Sequence, residues 1–186
     1  MSRLPELPIE RLSPEQRKVH DAIAAGPRGG VQGPLKVWLH SPKLAERAQE
    51  LGAFCRFHTS LPKRLSELAI LITGATWKAG FEWFVHAPAG IAAGLDPAAV
   101  EAIRTGARPE FARTDEAALY DFACELLVKR RVSEATYARA AAELGSVGIV
   151  ELVGILGYYA LISMTIVAFK VPLPDGEPDP FPEAGI

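Results

Sequence analysis

From Val147 to Phe169 the chain reads VGIVELVGILGYYALISMTIVAF, in which Glu151, Ser163 and Thr165 are the only non-aromatic polar side chains. A run of this length is long enough to cross a bilayer as a helix. The same run also suits a helix covered on all sides, partly by its own domain and partly by a second subunit. No basic cluster precedes it and only Lys170 follows it, and the mean hydropathy of the whole chain is just +0.13. The segment is therefore read as the central or interface helix of a homo-oligomer, with no membrane partner. Light scattering as a monodisperse monomer, or pelleting with membranes, would contradict that reading.

The rest of the chain is punctuated as helices. Ser13-Pro14-Glu15-Gln16 has the form of an N-cap, a Pro at the first helical position and polar residues in the first turn, and its helix should end near Gly26. The stretch GPRGGVQGP at 26–34 reads as a flexible loop. Ser41-Pro42 opens a helix to about Arg56, and Ser60-Leu61-Pro62 opens another to about Trp77, with Glu67 in its second turn. Gly80 breaks or kinks the chain. A helix over 81–94 then tolerates Pro88 near a bend. Asp96-Pro97 caps a short helix to about Thr105, and Thr114-Asp115-Glu116 starts one that ends at the basic run Lys129-Arg130-Arg131, a favourable sign at a helix C-terminus. Ser133-Glu134 starts a helix ending at Gly145, and the apolar helix comes last. No alternating run or hairpin signal is present, and the lone Asp175-Gly176 lies in a Pro-rich tail. The expectation is an all-α fold of about eight helices in a single domain over 1–186. Residues 1–12 and 172–186 are expected to be extended tails.

With 186 residues, the chain can bury roughly 70% of its extended surface without a staple. A formal net charge of −2 shows no basic excess of the kind nucleic-acid binders carry. The two cysteines, Cys55 and Cys124, form no CxxC and no disulfide framework. Their small number suits a reducing compartment. The N-terminus lacks an apolar signal core, so a cytoplasmic location is expected.

Chemistry-bearing residues concentrate in one apolar stretch containing Trp77, Glu82, Trp83 and His86. Glu82 and His86 are i,i+4 and share one helix face, with Trp83 at its edge. A carboxylate beside an imidazole in an apolar wall is a proton-transfer pair. An amphipathic helix with a surface ion pair would show the same spacing. Glu67 opens the run Leu68-Ala69-Ile70-Leu71-Ile72, either as an acid favoured by the helix dipole or as a buried functional group. Cys55-Arg56-Phe57-His58 has a C-x-x-H spacing with no second pair to complete a zinc site. Both cysteines read as core.

The order Glu67, Ala79, Glu82, His86 resembles the AhpD-like/carboxymuconolactone decarboxylase family, whose redox branch carries Glu, Cys, Cys and His at this spacing. Further resemblance lies in Pro-Lys-Arg-Leu-Ser-Glu-Leu-Ala at 62–69, Ala-Gly-Ile-Ala-Ala-Gly-Leu at 89–95, Glu-Leu-Val with Gly-Tyr-Tyr at 151–159, and Phe-Lys-Val-Pro-Leu-Pro at 169–174. It covers roughly 40–174. The resemblance implies an AhpD-like helical domain that assembles as a trimer or hexamer, although symmetry equally allows a dimer. Ala79 and Glu82 stand where the two cysteines would be, so a thiol peroxidase of the AhpD type is disfavoured.

The cysteine-free branch implies a carboxymuconolactone decarboxylase-like, cofactor-free lyase or proton-transfer enzyme acting on a small lactone or carboxylic acid. Glu67, Glu82 and His86 are the candidate catalytic residues. Trp77, Trp83, Tyr158 and Tyr159 are candidates for the substrate wall, and each also suits plain core packing. No Arg or Lys lies in the motif to grip a carboxylate, and Lys78 and Arg56 are the nearest by sequence. A metal site at Glu67, Glu82 and His86, and a non-catalytic helical oligomer that binds an apolar ligand, are the alternatives from other classes. No cofactor, metal or nucleic acid is expected.

Overall fold

The computed structural model describes residues 2–182. They form eight α-helices: α1 (Pro14–Ala25), α2 (Pro34–Trp38), α3 (Pro42–Phe57), α4 (Lys63–Trp77), α5 (Gly80–Ala92), α6 (Pro97–Thr105), α7 (Thr114–Cys124) and α8 (Glu134–Phe169). A 3-10 turn at Ile9–Arg11 precedes α1, and a π-helical turn at Glu125–Lys129 follows α7. No strand occurs among the described residues. The fold is all-α, as the punctuation of the chain predicts.

The caps work as the sequence indicates. Ser13 and Gln16 form a reciprocal capping box at α1. The Asp96 carboxylate accepts from the Ala98 N–H at 2.8 Å, and the Ser133 hydroxyl accepts from the Thr136 N–H at 3.3 Å. Proline occupies the first turn of α1, α2, α3 and α6, where its missing N–H costs no intrahelical bond. Lys78 adopts left-handed backbone (φ 54°) and ends α4, so α5 starts two residues later in a new direction.

Helix α4 is the centre of the domain. Every residue from Leu65 to Ala75 is buried, and α4 packs most extensively against α8 and α5, then against α7. A helix apolar on all sides needs neighbours all round it. Its start is tied down by the Glu151 carboxylate of α8, which accepts from both the N–H and the hydroxyl of Ser60 at 2.6 Å. Arg64 joins α4 to α7 by donating to Glu116 and, at 2.6 Å, to Asp115.

The apolar segment 147–169 lies within α8, and the helix start at Ser133 continues into it. Gly145 breaks the helix with φ 68° and ψ 173°, backbone that favours glycine. Beyond the break one face is core: Ile149, Leu152, Ile155, Leu156, Ile162 and Ile166 are buried. The other face, with Val147, Val150, Val153, Met164 and Val167, is exposed. Helix α8 is long and apolar enough to cross a membrane, yet half of its most apolar window is buried inside the fold.

Two segments expected to be loose are docked instead. The glycine-rich stretch 26–33 packs onto α5: Gly33 (φ 52°) lies so close to the Phe81 ring that an added Cβ would fall 2.2 Å from it. Pro34, the last residue of the stretch read as a loop over 26–34, begins α2, a helix too short to show a period. The Pro-rich C-terminal tail folds back, where Phe181 meets Trp83 edge-on at 5.3 Å and the Pro180 carbonyl accepts from Arg104 Nη1 at 2.8 Å. At the other end, the Arg3 N–H and Nη1 donate to the Phe169 and Ala168 carbonyls, capping the end of α8.

The Arg64 fork gives a test of the α4–α7 tie. Arg64→Ala leaves the Glu116 carboxylate buried without its cation, and removing one partner of such a pair costs about 3–5 kcal/mol. Chemical denaturation of the variant should show a loss of that order. A loss below about 1 kcal/mol would mean the fork is merely a surface ion pair.

Candidate functional site

Helices α4 and α5 meet at a corner, and both acids flank one imidazole there. Glu82 and His86 lie one turn apart on α5, and Glu67 reaches across from α4. The His86 Nδ1–H donates to Glu67 Oε2 at 2.7 Å. His86 Nε2 lies 3.2 Å from Glu82 Oε2, within ion-pair distance but off hydrogen-bond alignment, so that oxygen has no hydrogen-bond partner in the protein. Glu67 and His86 are each 2% exposed and Glu82 is 6% exposed. Gly90 permits this close approach of the two helices, because a Cβ there would meet Leu71 and Leu95 side chains at 3.1 and 2.9 Å.

Burial alone disfavours the charged imidazole and pushes the His86 pKa down. The hydrogen bond to Glu67, followed by the interactions with Glu82 and both carboxylate charges, outweighs burial and holds it above the ordinary value. A doubly protonated ring presents an N–H to each carboxylate, which neutral imidazole cannot do. Both nitrogens of His86 face acids, so the three side chains surround the ring rather than converge on one point. Among the described residues, no three His, Cys, Asp or Glu side chains group as metal ligands.

A cavity of about 140 Å³ opens beside this cluster. Helix α5 lines it with Phe81, Glu82, Val85 and His86, and α8 contributes Tyr158, Tyr159 and Ile162. Tyr159 stands edge-on to His86 with ring centres 5.3 Å apart, and Tyr158 is edge-on to Tyr159 at the same distance. Burial raises the pKa of both phenols, so they remain neutral donors. The Tyr159 hydroxyl is buried with no partner in the protein.

Of the residues singled out in the sequence, Glu67, Glu82, His86, Tyr158 and Tyr159 come together here. Trp77 and Trp83 do not line the cavity. Trp83 follows Glu82 on the helix and so points about 100° away, onto Phe181. Trp77 is half-buried at the end of α4 and packs against the core. Lys78 also lies elsewhere, with its Nζ 5.1 Å from the Phe181 ring centre.

Arg56 does line the cavity, and so does Arg28, which sequence reasoning missed. A lone Arg in a glycine-rich stretch has no periodic signal, and composition alone reads the stretch as a linker. Ile162 was also missed, although it lies one turn beyond Tyr158 on the same face of α8.

Neither thiol belongs to the site. Cys55 is buried, and burial chiefly pushes its pKa up to about 11; burial raises that of Cys124 as well. Ala79 is fully buried. A larger cleft of about 540 Å³ runs between the two chain ends and α2, and shares only Gln32 and Phe81 with the inner cavity. Of its ionic groups, Glu6 and Lys36 pair with each other.

No protein-family model matches the chain, and no curated protein matches its sequence. Solved structures do match its fold. A peroxidase-related protein from Ralstonia eutropha JMP134, described as an alkylhydroperoxidase AhpD core, superposes with a TM-score of 0.77 at 14% identity, covering 94% of this chain and 93% of that one. A peroxidase-related protein from Silicibacter sp. TM1040 gives 0.73 at 16% identity, covering 92% and 91%. A protein from Agrobacterium tumefaciens, linked by its description to AhpD antioxidant defence, gives 0.66 at 13% identity and covers 77% and 99%. The chain has the AhpD-like helical fold.

The raised His86 pKa fixes the sign of a pH effect. The stabilisation it brings is fully present below about pH 6.5, the ordinary value, and is lost as pH rises through the folded-state value. An NMR titration of the His86 ring should therefore give a midpoint above about 6.5. The stability difference between the native chain and His86→Gln should shrink as pH rises through that midpoint. A midpoint below the ordinary value would show that desolvation wins.

Proposed function

We propose that this chain is a cofactor-free proton-transfer enzyme acting on a small carboxylic or lactone acid, with decarboxylation as its reaction. The carrying observation is the buried His86, held between Glu67 and Glu82 at the wall of a small cavity. Glu67, on the inner side, fixes the ring orientation. Glu82 and the Nε2 edge of His86 border the cavity. In this reading the bond from the substrate carbon to its carboxyl carbon breaks and CO₂ leaves. The electron pair is held as an enolate by the adjacent carbonyl, and a proton passes from the His86 imidazolium, directly or through Glu82, to carbon. The Tyr159 hydroxyl, which lacks a partner, is a donor for the developing oxyanion. Val85, Leu35 and Ile162 supply the poorly solvated wall against which a carboxylate loses its charge.

The peroxidase-related neighbours suggest thiol chemistry as a second class. Support for it is weak in this chain, where Ala79 and Glu82 occupy the thiol positions implied by the resemblance and Cys55 is held as a thiol. The test uses a panel of unsaturated lactone acids, with CO₂ release and deuterium uptake from D₂O as readouts. Glu82→Gln and His86→Gln should each lower turnover by about 10²–10⁴-fold while the helical spectrum is kept. Full activity in both variants, or thiol loss coupled to turnover, would overturn the reading.

The working form we propose is a homo-oligomer, with the exposed face of α8 covered by a second copy. That face carries Val147, Val150, Val153, Met164 and Val167, with Val150 72% exposed, and open space lies over Gly154 and Gly157. A continuous apolar stripe of this kind marks an interaction surface. Sedimentation should show an assembly in detergent-free buffer that Val150→Glu dissociates; a monomeric native chain would refute it.

A further inference from the structure

The cavity holds more positive charge than the Glu67–His86–Glu82 cluster needs. Arg28, from the glycine-rich stretch 26–33, and Arg56, from the last turn of α3, both line it. Among the described residues neither has a carboxylate within salt-bridge distance, whereas Arg64, Arg104, Arg108 and Arg139 each do. The two guanidinium groups lie near one ring, Phe57, at 5.9 and 5.2 Å from its centre. Arg28 Nη2 donates to the Tyr158 hydroxyl at 3.4 Å, and its Nε is buried without a partner. A buried guanidinium N–H with no acceptor is costly. With His86 protonated, three cations line the cavity against one carboxylate, Glu82.

The approach of Arg28 depends on a missing side chain. A Cβ at Gly52 of α3 would lie 2.0 Å from the Tyr158 hydroxyl and 2.5 Å from Arg28 Nη2. Only glycine leaves that room. A line of contacts then runs from His86 to Tyr159, from Tyr159 to Tyr158, and from Tyr158 to Arg28. The acid–base cluster and the guanidinium pair thus occupy the two ends of a tyrosine-lined wall.

We propose that Arg28 and Arg56 form an anion subsite that anchors a carboxylate of the ligand, with Gly52 setting the depth at which Arg28 sits. A guanidinium fork matches a carboxylate in plane and charge, and binds it more strongly than a neutral acceptor. The cavity volume is about 140 Å³. Cavities of about 150 Å³ admit benzene, so a compact acid of roughly six to eight heavy atoms fits within it. This inference deepens the proton-transfer reading, since it takes the same cavity as the substrate site.

The test measures binding, without turnover. Crotonate and crotonamide have the same shape and differ in charge. Titration calorimetry on the full chain at low salt should show crotonate binding about tenfold or more tighter than crotonamide. Arg28→Gln and Arg56→Gln should each abolish that preference. Gly52→Ala, which keeps both charges, should weaken crotonate by a similar factor, and thermal melts would show that the variants remain folded. Glu82→Gln should keep the preference while losing turnover. Equal binding of acid and amide, no crotonate binding at its highest soluble concentration, or a preference that survives both arginine changes would overturn the subsite. Tighter binding of inorganic phosphate than of crotonate would overturn its assignment to a carboxylate. Retained crotonate preference with no turnover of any acid would overturn the catalytic reading alone.

Discussion

An imidazole buried between two carboxylates is the constraint on which the rest of the structure depends. Taking one ion out of water costs several kcal/mol, and the cost is met only when partners and geometry are fixed. Here the partners come from different helices, so α4 and α5 cannot shift without breaking the Glu67–His86 bond at 2.7 Å. The close approach also needs Gly90 on α5. Around that corner, α4 is buried on every side, with α8, α7, α6 and α3 packed about it. The fold is a jacket of helices around a small polar centre.

Helix α8 contributes to the site and to the surface at once. Its buried face delivers Tyr158 and Tyr159 to the cavity, and its exposed face is a row of valines with open glycines. The break at Gly145 separates this segment from the amphipathic stretch that precedes it. Glu151 sits on the same helix and ties down the turn before α4 by accepting from Ser60, so the one acid in the apolar run helps to fix the helix that carries Glu67. A residue that would be expensive in a bilayer thus has a structural use inside the domain.

Most of the fold was legible because its punctuation is local. Ser13, Asp96 and Ser133 cap helices through bonds to residues two or three positions on, and prolines mark first turns. The spacing of Glu82 and His86 put both on one face by helical geometry alone, and the resemblance tied Glu67 to them across the corner. What the sequence hid depends on contacts between distant segments. Arg28 reaches the cavity only because Gly52, in another helix, has no Cβ. The stretch 26–33 looks like a linker by composition, yet Gly33 is there because the Phe81 ring fills the space. Trp83 stands three residues before His86 at the edge of that face, yet one residue on from Glu82 the helix turns its side chain by about 100°, away from the cavity and onto Phe181. The tail beyond Pro172 carries no period, but Phe181 docks on that same Trp83.

The difference between this chain and the redox pattern it resembles is confined to two positions, 79 and 82. The AhpD-like fold is indifferent to that change, because the α4–α5 corner presents whatever side chain stands at 82 to the imidazole one turn later. A thiolate there would be an electron-pair donor that needs a resolving partner and a reductant. A carboxylate there has no redox chemistry; beside an imidazolium it can balance the charge, orient the ring or share a proton. Ala79, fully buried, removes the second sulfur and leaves core in its place. The same scaffold therefore carries a different set of side chains at this corner, and whatever reaction it performs resides in those side chains and the cavity lining rather than in the helices that hold them.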